Sequence, residues 1–214
     1  MLQATPLTKS AEDKLQLPQP FKKGEFSLEE VLAKRRSVRS FSPRPLSLKQ
    51  LSQILWAAQG VTGKGDFGRT SPSAGALYPL EIFVVVKRVE GIEAGVYQYD
   101  PFRHTLELVT KGDYIQDLAE ACLSQFFISQ APVVFVIAAD YDRVTWKYGE
   151  RGVRYVYIEA GHCAQNLCLQ AVALNLASVP VGAFWDRQVK EVIFLPDDLD
   201  PIYVIPVGYP GKGG

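Results

Sequence analysis

RGVRYVYIEAGHCAQNLCLQAVALNL, residues 151–176, decides the fold because it predicts one long helix that is apolar on nearly every side. A helix of this kind is buried all round, either inside its own domain or against a second copy of the chain. The small residues Ala160, Gly161 and Ala164 would let two such helices approach closely. The sequence leaves both arrangements open.

Segments with the sequence pattern of strands come before and after this helix in the chain. Residues 131–139 (APVVFVIAA) form a continuous apolar run, which is typical of a central strand. Residues 96–99 and 105–109 predict a hairpin around Asp100-Pro101. Further strands are predicted at residues 81–86, 179–184 and 202–207.

Capping patterns predict the other helices. The sequence SLEE at residues 27–30 is a capping box that opens a helix to about Arg35. Ser47, with Gln50 three positions later, opens a second helix that ends near Gly60. These elements predict an α+β fold with a central mixed, mainly antiparallel sheet flanked by helices. Further helices are predicted from Asp113 to about Ser124 and over residues 187–194.

Length and composition indicate one globular domain with an appended arm. The chain has 214 residues, of which 47% are hydrophobic, and this is enough for one sizeable core. Leu17-Pro18-Gln19-Pro20 resists helix formation. We therefore assign residues 1–20 to an N-terminal arm and residues 21–214 to a single domain.

The charge balance and the cysteines exclude several classes of function. The chain has 23 Lys+Arg and 23 Asp+Glu, so it has no overall charge that would attract nucleic acid or an anionic membrane. No segment has the pattern of a signal peptide or membrane span, which favours a cytoplasmic location. Cys122, Cys163 and Cys168 lack metal-ligand spacing with His104 or His162, so we expect reduced packing residues and no metal site.

Two segments could bind a phosphate-bearing planar ligand. In RRSVR, residues 35–39, three guanidinium groups and a hydroxyl offer paired donors to phosphate oxygens, although such a cluster can also be a solvated surface. In PSAGALYP, residues 72–79, Ser73 can cap a short helical turn, and small residues permit close approach to backbone amides. A plain turn before the next strand is the alternative.

Three further segments are weaker candidates. PVGAF, residues 180–184, ends a predicted strand and leaves backbone N–H groups uncovered. Lys147 and Tyr148 could donate or accept a proton, or could simply belong to a polar helix end. GKGDFG, residues 63–68, matches GxGxxG, but a helix precedes it where a dinucleotide-binding fingerprint requires a strand, so we interpret it as a surface loop.

The order of these segments is more specific than any one of them. RRSVRSF, PSAGALYPLE, GVYQYDP, KYGERGVRY, EAGHCAQNL, PVGAF and GYP follow one another over about residues 18–210. In this order they resemble the nitroreductase family, and within it the SagB-type dehydrogenase branch. The resemblance implies the FMN-dependent nitroreductase fold, with residues 151–176 as the central helix of a homodimer.

The resemblance also implies residue roles at two non-covalent FMN sites between the subunits. Contacts to the phosphate and ribityl chain correspond to Arg35, Arg36, Ser37 and Arg39. The segment lying along the flavin from the partner subunit corresponds to Pro72, Ser73, Ala74, Gly75 and Leu77. Backbone contacts near flavin N5 correspond to Gly182 and Ala183, and the catalytic pair of the branch corresponds to Lys147 and Tyr148.

This chain departs from many members of the family at two places. The tail after GYP is shorter, which leaves Lys212 as a candidate substitute for the basic residue that reaches the phosphate. Ala76 or Leu77 stands where many members have Asn, so a side-chain hydrogen bond to the flavin ring is missing and backbone donors take its place.

The implied activity is hydride transfer from NAD(P)H, through FMN, to a small planar acceptor such as a quinone or nitro compound. One alternative is a SagB-like peptide dehydrogenase that oxidises azoline rings with FMN and oxygen. Another is a flavin-binding or flavin-degrading module without reductase turnover.

Overall fold

The computed structural model describes residues 14–63 and 68–212, and in them one seven-stranded sheet organises the chain. Its strands are β1 (Lys14–Gln16), β2 (Leu80–Val86), β3 (Gly95–Asp100), β4 (Thr105–Lys111), β5 (Val133–Ala139), β6 (Ala177–Ser178) and β7 (Asp200–Gly208). They lie in the order β1-β4-β3-β2-β5-β7-β6, and each pairing of neighbours is antiparallel. We expected a sheet with some parallel pairing. Parallel pairing occurs only at two isolated bridges between described residues, Ser37–Ser178 and Leu46–Val89.

Helices cover both faces of this sheet. They are α1 (Leu28–Lys34), α2 (Leu48–Gln59), α3 (Ile115–Ala121), α4 (Asp142–Tyr148), α5 (Arg151–Ala173) and α6 (Asp186–Val192). Helices α2 and α5 belong to one apolar core, and helices α3 and α6 belong to the other. The predicted α+β architecture, a sheet flanked by helices, is therefore confirmed, and α5 is the longest of the described helices.

The central strand is where the apolar run predicts it. All seven residues of β5 are buried, and β5 pairs with β2 on one side and β7 on the other. Strands β3 and β4 form the predicted hairpin. A strand that is buried on both faces can be apolar throughout, and this explains the unbroken run.

Both capping boxes are also confirmed. The Ser27 Oγ accepts a hydrogen bond from Glu30 N–H, and the Glu30 carboxylate accepts one from Ser27 N–H. Ser47 and Gln50 form the same reciprocal pair at α2. Each pair satisfies amide donors that the first helical turn leaves unbonded.

The predicted strand at residues 179–184 is wrong. Only Ala177–Ser178 forms a strand there, and a single bridge joins Val181 to Val204. Pro180 has no N–H to donate to a sheet ladder, and Gly182 and Ala183 are exposed to solvent.

Helix α3 begins at Ile115, with Tyr114 and not Asp113 at the N-cap position, and it ends earlier than expected. The Asp113 carboxylate accepts a hydrogen bond from Ile115 N–H at 3.2 Å. The helix stops at Ala121, because Leu123 and Ser124 have φ angles of 58° and 57°. These left-handed conformations cannot continue a right-handed helix.

The long helix is not buried on every side of its own chain. Val153, Tyr157, Ile158 and Gly161 form an exposed strip along α5. Of the two arrangements that the sequence leaves open for Ala160 and Ala164, the structure shows burial in the chain's own core. Of the three small residues, only Gly161 lies on the exposed strip.

The structure also bears on the cysteines, on membrane-spanning helices and on the N-terminal arm. The three cysteines are free and buried. No described helix is long and apolar enough to cross a membrane. Residues 1–13 of the N-terminal arm and residues 64–67 of the GxGxxG stretch lie outside the described residues, while Leu17 of the arm is buried.

Candidate functional site

The arginine-rich segment lies at the open edge of the sheet, beside β6. It begins at Arg35, where α1 ends. Ser37 pairs with Ser178, and the Val38 N–H donates a hydrogen bond to the Ser178 carbonyl at 3.1 Å. This backbone pairing fixes the segment and leaves the Ser37 side chain exposed.

The three guanidinium groups of this segment differ in their contacts. Arg36 Nη1 donates to the carbonyls of Ala33 and Arg35, at 3.0 and 2.7 Å, so this arginine caps its own helix. The Arg39 guanidinium lies 5.9 Å from the centre of the Phe127 ring. No ion pair between described residues involves Arg35, Arg36 or Arg39. The positive charge is therefore not neutralised by a carboxylate in the described chain.

Gly182 and Ala183 are connected to the same segment through residues 125–127. Gln125 Nε2 donates to the Ala183 carbonyl at 2.9 Å, and Phe127, two residues further on, contacts Arg39. No hydrogen bond between described residues uses the N–H of Gly182 or Ala183. Both residues are exposed, so these donors are accessible to a ligand.

The turn of residues 73–77 has an unusual backbone. Gly75 and Ala76 have φ angles of 63° and 55°. Ser73 precedes the 3-10 turn Ala74–Ala76, but its side chain does not cap that turn as expected. Its Oγ accepts instead from the Tyr78 N–H at 2.8 Å, so the bond closes the whole turn.

Lys147 and Tyr148 lie against this turn. A Cβ atom on Gly75 would lie 2.7 Å from Tyr148 Oη and 3.0 Å from Lys147 Nζ. Tyr148 is also held by an edge-to-face contact with Tyr155 of α5, with ring centres 5.1 Å apart. The structure thus brings a phenol and an ammonium group together at the backbone of Gly75.

Sequence reasoning missed Glu159, which lies next to the same turn. Its side chain is 3% exposed, and burial raises its pKa to about 7. The Ser73 hydroxyl, the Arg69 guanidinium and the Gln59 amide act in the opposite direction and lower this pKa. The sequence pattern could have identified it: the helical spacing of Glu159 from Val156, Ala160 and Cys163 puts its carboxyl on the buried face of α5.

Tyr157 and Tyr141 connect the two groups of candidate residues. With Gly182, they line a cavity of about 450 Å³, and their rings meet edge to face with centres 5.9 Å apart. Tyr141 directly precedes α4, the helix that ends in Lys147 and Tyr148. The cavity therefore borders Gly182 and the start of α4, and two carboxylates, Asp186 and Asp200, also line it.

The remaining predicted residues occupy the edges of these groups. Pro72 is exposed and Leu77 is half-buried beside the turn. Lys212 is exposed, and the Gly211 N–H before it donates to the Ser40 carbonyl at 2.8 Å. The tail thus reaches the residue that follows Arg39.

The arginine-rich segment and the Ser73 turn contact different parts of α5. Arg35 is close enough to Cys168 to lower the pKa of its thiol, although burial raises that pKa overall, whereas Ser73 lies near Glu159. Nine residues of helix separate these positions by about 13 Å along the axis. A ligand that touches both groups must be elongated or must lie between two chains.

The chemistry of these donors fits FMN. Arginines without carboxylate partners, together with an exposed hydroxyl, suit a phosphate monoester. Exposed N–H groups at Gly182 and Ala183 suit the acceptor atoms of a planar ring. The turn at Gly75 would supply a flat backbone surface and, through Lys147 and Tyr148, proton donors.

Comparison with known proteins gives a consistent result. A model of the nitroreductase family matches residues 32–209. The chain is 50% identical over 184 residues to MJ1384 of Methanocaldococcus jannaschii, provisionally assigned as a nitroreductase, covering 86% of this chain and 91% of that protein. A provisionally assigned nitroreductase structure from Ralstonia eutropha gives a TM-score of 0.82 at 30% identity, covering 99% of this chain and 96% of that one.

A second relative is a peptide-processing protein. The chain is 28% identical over 158 residues to the microcin B17-processing protein McbC of Escherichia coli, an alignment that covers 70% of this chain and 57% of McbC. The chain thus spans little more than half the length of that relative. From the family match over residues 32–209 and the identity to MJ1384, the chain belongs to the nitroreductase family.

Proposed function

We propose that this protein is an FMN-dependent oxidoreductase, which transfers hydride from NAD(P)H to a small planar acceptor such as a quinone or nitro compound. When bound, FMN supplies the hydride-accepting and hydride-donating chemistry, and the protein supplies binding, orientation and protons. The observation that carries this proposal is the meeting of Lys147 Nζ and Tyr148 Oη at the backbone of Gly75.

Each group of site residues has a distinct task in this proposal. Arg35, Ser37 and Arg39 hold the phosphate, with Lys212 as a further candidate, and no carboxylate among the described residues forms an ion pair with these basic groups. The N–H groups of Gly182 and Ala183 donate to acceptor atoms at the ring edge. Lys147 and Tyr148 deliver the proton that a quinone or nitro oxygen takes up as it is reduced.

The proposal includes a homodimer. The strip of Val153, Tyr157, Ile158 and Gly161 leaves apolar surface of α5 exposed in the single chain. Covering it with a second copy would bury this surface and would bring the Ser73 turn of one chain towards the arginine-rich segment of the other. In this arrangement one ligand, lying between the two chains, could touch both groups of site residues.

The absorption spectrum of the purified protein tests the cofactor. We expect an oxidised flavin spectrum whose chromophore is released as FMN on heating. Anaerobic NADPH or NADH should then bleach it, and added quinone should restore it. A colourless protein that takes up no added FMN would exclude the proposed function, and flavin that resists both nicotinamides would exclude them as donors.

A second function is favoured by the similarity to McbC together with the placement of Lys147 and Tyr148. Oxidising an azoline ring to an azole removes one hydride and one proton from the ring. Bound FMN would supply the hydride acceptor, and oxygen would take up the two electrons with two protons as hydrogen peroxide. Lys147 and Tyr148 would accept or relay that proton. We expect this activity only if a peptide containing an azoline reaches the cavity.

Substitution of Lys147 or Tyr148 tests the assignment of this pair to azoline oxidation. Lys147→Ala and Tyr148→Phe should abolish azoline oxidation and leave FMN binding unchanged, with Lys49→Ala, an exposed lysine of α2, as control. Unchanged azoline oxidation in both variants would exclude this assignment. A protein that binds FMN but turns over neither quinones, nitro compounds nor azolines would instead be a flavin-binding or flavin-degrading module.

A further inference from the structure

The carbonyl of Tyr78 receives a hydrogen bond from outside the Ser73 turn. Tyr78 has a φ angle of 47°, a left-handed conformation that residues with side chains seldom adopt. Its N–H donates to Ser73 Oγ at 2.8 Å, its Oη accepts from the Gly68 N–H at 3.0 Å, and its carbonyl accepts from Arg143 Nη1 at 3.3 Å. Such conformations persist only where surrounding contacts determine them, and they are concentrated at functional sites. The third bond matters because Arg143 belongs to α4, whose last two residues are the candidate proton donors.

Arg143 joins several elements through one guanidinium group. Besides the Tyr78 carbonyl, Nη1 contacts Glu81 Oε1 of β2 at 2.7 Å, and Nε contacts Asp140 Oδ2, directly after β5, at 3.0 Å. The side chains of the two acids are each 18% exposed, so water screens these contacts only in part. A planar guanidinium holds several acceptors in fixed directions, which an ammonium group does not. No other hydrogen bond between described residues joins a side chain of α4 to residues 72–79.

The end of α4 contacts the same turn. Lys147 Nζ and Tyr148 Oη, the polar pair, lie 3.0 and 2.7 Å from the position that a Cβ on Gly75 would take. Lys147 follows Arg143 by four residues, so the two share a face of α4 and are about 6 Å apart along its axis. We infer that Arg143 is a positioning residue: its contacts with the Tyr78 carbonyl and the two carboxylates hold α4 where the polar pair meets Gly75. The consequence for catalysis rests on the proposed function, whereas the link between Arg143 and this contact does not.

Helix α4 keeps other attachments to the core when this side chain is removed. Val144 is buried, and a Cβ on Gly152 of α5 would lie 3.0 Å from the Cα and the N of Thr145. The backbone of Arg143 also stays bonded, because its N–H donates to Asp140 Oδ1 at 3.3 Å. Replacement of the arginine should therefore shift α4 relative to the turn and leave the fold intact.

The link is measured in the full chain without substrate. A nuclear Overhauser effect between the Tyr148 ring and the α protons of Gly75 reports their contact directly, because its intensity falls steeply with distance. We expect this effect to be at least halved in Arg143→Ala and in Arg143→Lys, which keeps the positive charge and loses the guanidinium fork. Lys87→Ala is the matched control, since Lys87 also forms a partly buried ion pair, with Asp113 at 3.0 Å, just after the other end of β2.

The result has defined readings. An undiminished effect in either variant of Arg143 would overturn the inference, and so would an equal loss in Lys87→Ala or the absence of the effect in the natural protein. If Arg143→Ala does not fold, Arg143→Lys decides alone.

The two half-reactions give a separate readout in the FMN-loaded protein. In the proposed function, the polar pair acts when quinone is reduced and not when NAD(P)H reduces the flavin. In Arg143→Lys we therefore expect oxidation of the reduced protein by quinone to slow at least tenfold. Its reduction by NADPH or NADH and its Kd for FMN should change less than twofold. Equal slowing of both half-reactions, or unchanged oxidation by quinone, would overturn the inference. If no FMN binds, the proposed function fails, and the Overhauser effect still decides the link.

Discussion

Tyr148 and Gly75 are in contact across two elements that are 73 positions apart in the sequence. The Tyr148 Oη lies 2.7 Å from the place where a Cβ on Gly75 would be, and Gly75 has a φ angle of 63°. Both the space and the backbone conformation therefore require glycine. The polar pair can lie so close to the turn only because this position has no side chain.

Replacement of Gly75 tests both the need for space beside Tyr148 and the need for a positive φ angle. Gly75→Ala adds a Cβ that must displace Tyr148, so we expect at least a tenfold loss of kcat. The positive φ angle adds a loss of stability of about 1 kcal/mol. Gly91→Ala is the matched control, because Gly91 has a φ angle of 79°, has nothing within 4 Å of the added atom and belongs to no group of site residues. Equal losses of kcat in both variants would show that the contact with Tyr148 is unimportant.

The arginines should contribute unequally to FMN binding. Arg35→Ala or Arg39→Ala should weaken binding about tenfold to a hundredfold, since a charge-assisted hydrogen bond contributes roughly 1.5–3 kcal/mol. Arg36→Ala should have a smaller effect, because Arg36 Nη1 is bonded to the carbonyls of Ala33 and Arg35. Quenching of FMN fluorescence measures each Kd. The ranking is wrong if Arg36→Ala is the most damaging of the three.

The exposed strip of α5 should mediate association. Ile158→Lys should convert a dimer to monomers, because it puts a charge into a surface that a second chain would desolvate. Phe194→Lys is the control, since the two side chains are 49% and 44% exposed and Phe194 follows α6 on the other face of the sheet. Analytical ultracentrifugation distinguishes the outcomes. A dimer that survives Ile158→Lys would place the interface elsewhere.

Stability should depend on pH through Glu159. Its pKa is raised from 4.5 to about 7, so the folded protein binds a proton more tightly than the unfolded chain. The resulting stability is fully present below pH 4.5 and is lost as pH rises through 7. The loss is roughly 3 kcal/mol, at about 1.4 kcal/mol per pKa unit.

Urea unfolding at pH 5 and pH 8 measures this dependence. The free energy of unfolding of Glu159→Gln, relative to the natural protein, should rise between these values, because the amide does not ionise. Glu150→Gln, a control at an exposed residue just before α5, should show no such change. If Glu159→Gln gains nothing at pH 8, the carboxyl is less strongly desolvated than its burial indicates.

The parts of the fold that were predictable are those governed by local sequence. Ser27 and Ser47 open helices through hydrogen bonds with residues three positions away. The apolar run at residues 131–139 identifies the central strand, β5. The strand predicted at residues 179–184 fails because two residues with strand propensity, Val179 and Val181, flank a proline that cannot join the ladder. Strand propensity alone does not show which backbone N–H and C=O groups form hydrogen bonds in the sheet.

The site was only partly predictable for a related reason. The sequence identifies Lys147, Tyr148 and Gly75 as candidates, but only the fold shows that they touch. Glu159 was overlooked because the surrounding sequence indicates a buried helix, and a single acid in such a helix carries no motif. Its proximity to Ser73, which is 86 positions away, arises only through tertiary packing.

The buried cysteines make the thiols a reporter of structural opening. Cys122 belongs to the core beneath α3 and α6, whereas Cys163 and Cys168 belong to the core beneath α2 and α5. Because burial raises the pKa of each thiol and shields it from reagents, alkylation requires opening of the surrounding layer. The labelling rates of Cys122 and of the other two would thus show whether the two layers open together or one before the other.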